Sequence, residues 1–322
     1  MCGVFGFVRY RPGAGLGAGG DDPGGRRDAG HLPGADVGQT VACPGEPWPG
    51  RGDAAPGELG DIYGRLALVC AVRGSDAGGI AYVDGKRVVV KKRAGGLAES
   101  QFSFPRETQA LIGHCRRDLD GNWQDNRNNH PFRGQTRDGT EYALAHNGIL
   151  SNLRELRASM ELGPSSIRTD SYGAVSLIDR SERLNLASLA AACGKLCGSF
   201  LFTILDGGSN LYLCRGDVPV ILVHFKKRRL FLYVSTRDLL EEGLLGTSLG
   251  EAYKTSNLEL STSPVSLIPV GKGEIVRVSA TGRTSRRRFR FNEDKAISHN
   301  WYRHDVELTD ELKRQIKALD ND

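Results

Sequence analysis

The sequence has no apolar run approaching the roughly 18 residues that a membrane-crossing helix needs, so a membrane span is not expected. Secretion is not expected either: the opening MCGVFGFVRYRP is too short for a signal core and carries no basic stretch ahead of it. Both absences point to a cytoplasmic protein without a membrane partner. Charge of one sign is not in excess. The 43 basic and 38 acidic residues leave +5 at pH 7, too little over 322 residues to argue for nucleic acid. The seven cysteines form no disulfide framework, and Cys70 in LALVC and Cys214 in LYLC read as reduced core thiols. CGKLC at 193–197 has no second ligand pair at zinc spacing. Packing on an apolar helix explains it better than metal, and no metal or cofactor is expected. No GxxxxGK[ST] phosphate loop occurs.

What is present is an ordinary globular composition, 39% hydrophobic and 25% charged, enough for one large core or two modest ones. Residues 3–9, GVFGFVR, predict a short buried strand. From about 12 to 56 glycine and proline are too dense for a helix or a central strand, so a long inserted loop is expected. Its RGD at 51–53 reads as a chance tripeptide rather than an integrin signal. Ile62, Leu66, Val69 and Cys70 recur at helical spacing and predict a helix over 58–72. Further helices are expected over 151–160, 169–180 and 186–196. Between and after them run strand-like stretches: GGIAYV, RVVVKKRA, ALIGHCRR, FLFTILDG, NLYLCRG, PVILVHFK, RLFLYVST, SPVSLIPV and GEIVRVSA. Helices with two stacked antiparallel sheets, an α+β layering, are the expected architecture. TDELKRQIKALDND predicts a terminal helix capped by Thr309, docked on its own domain or recruiting a partner. RRRFRF at 286–291 predicts a half-buried edge strand with Phe289 and Phe291 on one face; phosphate contact is the sharper alternative.

Chemistry concentrates at a few points. Removal of Met1 would leave Cys2 carrying a thiol and an α-amine whose pKa values, about 8.5 and 8, are matched for proton exchange near neutrality. Taken alone, an MC start is better read as accident. Asn147-Gly148 in AHNGIL is either a turn signal or an oxyanion hole built from the asparagine amide and the glycine N–H. Arg116, at the end of an apolar strand, can grip a carboxylate through two parallel hydrogen bonds. Asp170 can hold an ammonium or cap the helix that starts there. An arginine for a carboxylate and an aspartate for an ammonium together describe an α-amino acid. His130 and His146 flank these positions and are expected to be structural hydrogen-bonding groups.

These pieces resemble, in this order, the class II glutamine amidotransferase domain. The matching strings are MCGVFGF at the start, RGSDAGGIAY at 73–82, GHCRR at 113–117 and NNHPF at 128–132. LAHNGILSNLRELR at 144–157, RTDSYGAV at 168–175 and GSFLFTILD at 198–206 continue the series, covering about residues 2–10 and 57–280. The resemblance implies a four-layer αββα sandwich of the N-terminal nucleophile hydrolase type. It implies a γ-glutamyl thioester on Cys2, an oxyanion hole at Asn147 and Gly148, the substrate carboxylate on Arg116 and its ammonium on Asp170. Arg73 and Asp76 match a structural turn beside the site. The chain departs from the family where TRWATHG is usual and CRRDLDG stands: Arg117 replaces an aromatic residue, and Leu119 and Asp120 replace threonine and histidine.

The expected division is an amidotransferase domain over 2–282, interrupted by the 12–56 insertion, and a basic strand with a helical extension over 283–322. The expected function is hydrolysis of L-glutamine to glutamate and ammonia. With no synthase domain in the matched region, ammonia is expected to pass to a separate synthetase. Two rivals are hydrolysis of another amide without transfer and a non-catalytic regulatory homologue.

Overall fold

The structure, a computed structural model, describes residues 2–11, 58–97, 102–118, 122–160, 165–293 and 296. The expected inserted loop with its RGD, the expected C-terminal helix, and Leu119 and Asp120 lie outside the described residues.

The chain runs β1 (Gly3–Arg9), α1 (Glu58–Ala71), β2 (Ala77–Asp84), β3 (Arg87–Ala94), β4 (Ala110–Arg116), β5 (Phe132–Gln135) and β6 (Glu141–Leu150). Three helices follow, α2 (Leu153–Ser159), α3 (Ser171–Asp179) and α4 (Leu186–Cys193), and then β7 (Gly198–Asp206), β8 (Leu211–Arg215), β9 (Ile221–Phe225) and β10 (Leu230–Val234). The remainder is α5 (Arg237–Gly243), α6 (Ser248–Thr255), β11 (Val265–Leu267), β12 (Glu274–Val278) and β13 (Thr284–Arg288). Two antiparallel sheets result, ordered β11-β9-β10-β1-β4-β2-β3 and β13-β12-β8-β7-β6-β5.

Side-chain alternation builds the layers. On β1, Phe5 and Phe7 face α1, where they meet Ile62, Leu66 and Val69. Val4 and Val8 face the other way and meet Ala143, Ala145, Leu201 and Leu213 of the second sheet. That second sheet turns Leu144, Phe200, Phe202 and Ile204 outward onto Val175, Ile178 and Leu189 of α3 and α4. Helix, sheet, sheet, helix is therefore the observed order, the N-terminal nucleophile hydrolase sandwich. Strands whose two faces are both covered carry near-continuous apolar runs, which is why GVFGFVR and GSFLFTILD show little polar alternation.

Three local expectations change. Helix α4 stops at Cys193, with Gly194 closing its last turn on Ala190, so Cys197 lies beyond the helix that was to carry both cysteines. Strand β13 ends at Arg288 and is exposed throughout. Phe289 and Phe291 follow it and pack on Phe200, with ring centroids 6.0 and 5.7 Å away. At the sheet edge β13 pairs, among the described residues, with β12 alone, and its exposed arginines remain solvated. Helices α5 and α6 and strand β5, whose apolar residues are few and interrupted, were not anticipated. Among the described residues no helix is long and apolar enough to cross a membrane.

Candidate active site

Cys2 stands immediately before β1. Gly3 pairs with Cys115 of β4, and Val4 is fixed on the other side, its N–H donating to Ser235 Oγ at 2.9 Å. By the two-residue strand period Cys2 points with Val4 into the space between the sheets. The turn that ends α1 reaches back to it: Arg73, only 6% exposed, donates from Nε to the Cys2 carbonyl at 3.2 Å. A Cβ on Gly3 would sit 2.7 Å from the Cys70 carbonyl, so only glycine lets α1 pack this close to the strand start. The thiol donates to the Arg117 carbonyl at 3.8 Å. Burial raises its pKa above the ordinary thiol value, and the nearby Arg116 charge opposes that shift while Asp170 adds to it. A thiol in this state starts protonated and needs a base.

Arg116 closes β4 on the same inter-sheet face, two steps beyond His114. Its Nη1 donates to the Asn128 carbonyl and, at 2.8 Å, to Asn129 Oδ1. Its Nη2 donates to Asp118 Oδ1 at 2.9 Å. The RGSD turn braces the same segment: Asp76 N–H donates to the Arg116 carbonyl at 3.0 Å, and Asp118 N–H donates to Asp76 Oδ2 at 2.7 Å. Arg73 and Asp76 thus hold backbone of Cys2 and of the 116–118 segment, which agrees with a structural turn beside the site. Asn128, Asn129 and Asp118 were not assigned by sequence reasoning. The NNHPF string drew attention to the asparagines but gave no signal of what they touch.

Asn147 and Gly148 lie within β6, opposite Leu201 and Phe200 of β7, and the strand continues to Leu150. The turn alternative for Asn-Gly therefore does not describe this chain. Asn147 is fully buried and shares the inter-sheet parity of Ala143 and Ala145. Neither its Oδ1 nor its Nδ2 makes a hydrogen bond among the described residues. Gly148 has φ 140°, and a Cβ there would meet the Ser199 carbonyl and the Phe200 backbone. No other residue fits that combination of angle and contact. Asp170 accepts from the N–H groups of Ser171 (2.6 Å) and Leu150 (2.7 Å), tying the start of α3 to the end of β6. The capping expectation for Asp170 is met, and its charge is felt at the Cys2 thiol.

Behind these groups lie three buried histidines. His114 Nε2–H donates to the His146 carbonyl at 2.9 Å and so pins β4 to β6 across the sheets. His146 Nδ1 bonds Ser171 Oγ at 2.8 Å, as a structural hydrogen-bonding histidine should. His130 departs from that expectation. Its ring nitrogens have no hydrogen-bond partner among the described residues, and it is held by ring contacts with His114 (4.2 Å) and Phe132 (4.6 Å). Burial drives all three pKa values down, His114 to about 3. In the unfolded chain each titrates near 6.5. As pH falls below that value the unfolded state binds protons that the folded state refuses, so stability drops until the folded values are reached. From about pH 6.5 to about pH 4.5, His114 alone costs roughly 3 kcal/mol. Asp179, raised to about 6 by burial, works the other way over part of that range but is a single group. Urea denaturation at stepped pH should show the midpoint falling steadily from 6.5 downward; a flat profile to pH 4.5 would contradict histidines held neutral.

No protein-family model matches the chain. Among curated proteins, glutamine–fructose-6-phosphate aminotransferase (isomerizing) of Mycobacterium bovis is 31% identical over 166 residues, 47% of this chain and 26% of that protein. Amidophosphoribosyltransferase of Mycobacterium leprae is 31% identical over 183 residues, 52% of this chain and 32% of that protein. Over these stretches the chain is similar to the glutamine amidotransferase domains of these enzymes. Glutamine phosphoribosylpyrophosphate amidotransferase of B. subtilis superimposes on 90% of this chain and 50% of its own, with TM-score 0.58. At 17% identity that likeness is one of fold. The chain spans between a quarter and a third of the length of the curated relatives described.

Proposed function

We propose that the chain hydrolyses L-glutamine to glutamate and ammonia through a thioester on Cys2. The observation that supports this reading is that Cys2 just ahead of β1, Arg116 at the end of β4 and Asn147 in β6 lie on the inter-sheet side of their sheets, with the charges of Arg116 and Asp170 felt at the Cys2 thiol. After loss of Met1 the Cys2 α-amine takes the thiol proton, and the sulfur attacks the side-chain amide carbon of glutamine. The oxyanion that forms accepts from Asn147 Nδ2–H and Gly148 N–H. Collapse of the tetrahedral species expels ammonia, which leaves with the proton held by the α-amine. Water then attacks the thioester, the amine again serving as base, and glutamate departs. Arg116 and Asp170 hold the substrate's carboxylate and ammonium in this scheme, and no metal or cofactor takes part. The ammonia passes to a separate synthetase; the relatives' names, an aminotransferase and a phosphoribosyltransferase, support use of the nitrogen in transfer. Purification from the native host as a lone, active glutaminase would count against that last step.

Mass spectrometry tests the central claim. Active protein should lack Met1 and should take one 6-diazo-5-oxonorleucine adduct, on Cys2. Full activity with Met1 retained, or labelling at another cysteine, would remove Cys2 as an amino-terminal nucleophile.

A further inference from the structure

Arg116 is 3% exposed, and its guanidinium is already engaged on both terminal nitrogens. Nη1 is committed to Asn128 and Asn129, while Nη2 carries Asp118 at 2.9 Å. The Asp118 backbone is tethered to Asp76, which is tethered in turn to the Arg116 carbonyl, so the carboxylate returns to the same guanidinium rather than ranging over the surface. Its side chain is 18% exposed, leaving it an outlet toward solvent.

We propose that Asp118 lowers affinity for an α-carboxylate substrate, and so sets selectivity, by keeping its own carboxylate on a guanidinium nitrogen of Arg116 beside the donors left for the substrate. The inference rests on the glutaminase reading of the site. Two carboxylates at one arginine repel, and at low exposure that repulsion is weakly screened. Glutamine therefore binds against that repulsion, which is relieved as Asp118 turns outward. An amide lacking the α-carboxylate makes no such demand, so the site discriminates against such amides less than its arginine alone would dictate.

The test compares L-glutamine with 4-aminobutanamide, which is glutamine without its α-carboxylate, by ammonia release from wild type, Asp118→Ala and Asp118→Asn. KM for glutamine should fall on the order of tenfold in both variants, the size usual for a charge-assisted hydrogen bond, while the values for 4-aminobutanamide stay put. The nearly isosteric asparagine variant carries the test if the alanine variant fails to fold. Unchanged or higher KM for glutamine, or an equal gain for both amides, overturns the proposal. The same comparison by calorimetric binding to Cys2→Ala protein needs no turnover. It separates failure of this inference, seen as no tighter glutamine binding, from failure of the glutaminase reading, seen as no ammonia and no Cys2 adduct.

Discussion

Cys2→Ala is expected to reduce ammonia release from glutamine to background while leaving the melting temperature within a few degrees of wild type. The two halves of that expectation have separate causes. The sulfur is the proposed nucleophile, and removing a nucleophile typically costs several orders of magnitude, on the order of 10⁵ or more. Structurally the side chain contributes little: it is partly exposed, and its one hydrogen bond among the described residues is a 3.8 Å thiol contact to the Arg117 carbonyl. What anchors the strand start is the backbone, through Arg73 on the Cys2 carbonyl and Ser235 on Val4, and alanine preserves both. Substantial residual turnover in a folded Cys2→Ala protein would remove Cys2 from the mechanism. Loss of folding would show a structural task that the contacts do not reveal.

Asn147→Ala is expected to lower kcat by about two to three orders of magnitude with a much smaller change in KM. The amide is proposed to bond the oxyanion, which exists only after attack, so its loss falls on the transition state rather than on the bound substrate. Here too stability separates the readings. Asn147 is completely buried with neither amide atom bonded among the described residues. Deleting an unpartnered buried amide removes a desolvation penalty of about 1–3 kcal/mol, which offsets the small cavity left behind. A purely structural asparagine would give the opposite pattern, with a lowered melting temperature and rates near wild type. Steady-state kinetics beside a thermal melt decide between them.

How much of this was legible in the residues varied with the range of the interaction. The spacing of Ile62, Leu66, Val69 and Cys70 declared α1 because helical periodicity is local, and α1 forms over Glu58–Ala71. The apolar runs of β1, β4 and β7 declared central strands for the same reason. Phe289 and Phe291 misled because alternation marks which residues share a face but not where pairing stops. Pairing stops at Arg288, and the phenylalanines reach Phe200 from outside the strand. Asn-Gly misled as a turn signal because the same dipeptide serves wherever positive φ and close backbone approach are needed, here at Gly148 against Ser199 and Phe200.

The order of motifs along the chain, from Cys2 to the Asn-Gly pair to RTDSYGAV, was enough to point to the glutamine amidotransferase resemblance and the layered fold. Those depend on residue type and on spacing within one element, and both are written in the chain. Tertiary structure alone decided that Cys2 and Arg116 of one sheet and Asn147 of the other turn toward the same inter-sheet space, that Arg116 already holds Asp118, and that three histidines lie buried and neutral behind them. Each depends on which strand lies opposite which, and on how far burial strips water from a charge. Those are properties of the packed layers, set by contacts between residues distant along the chain.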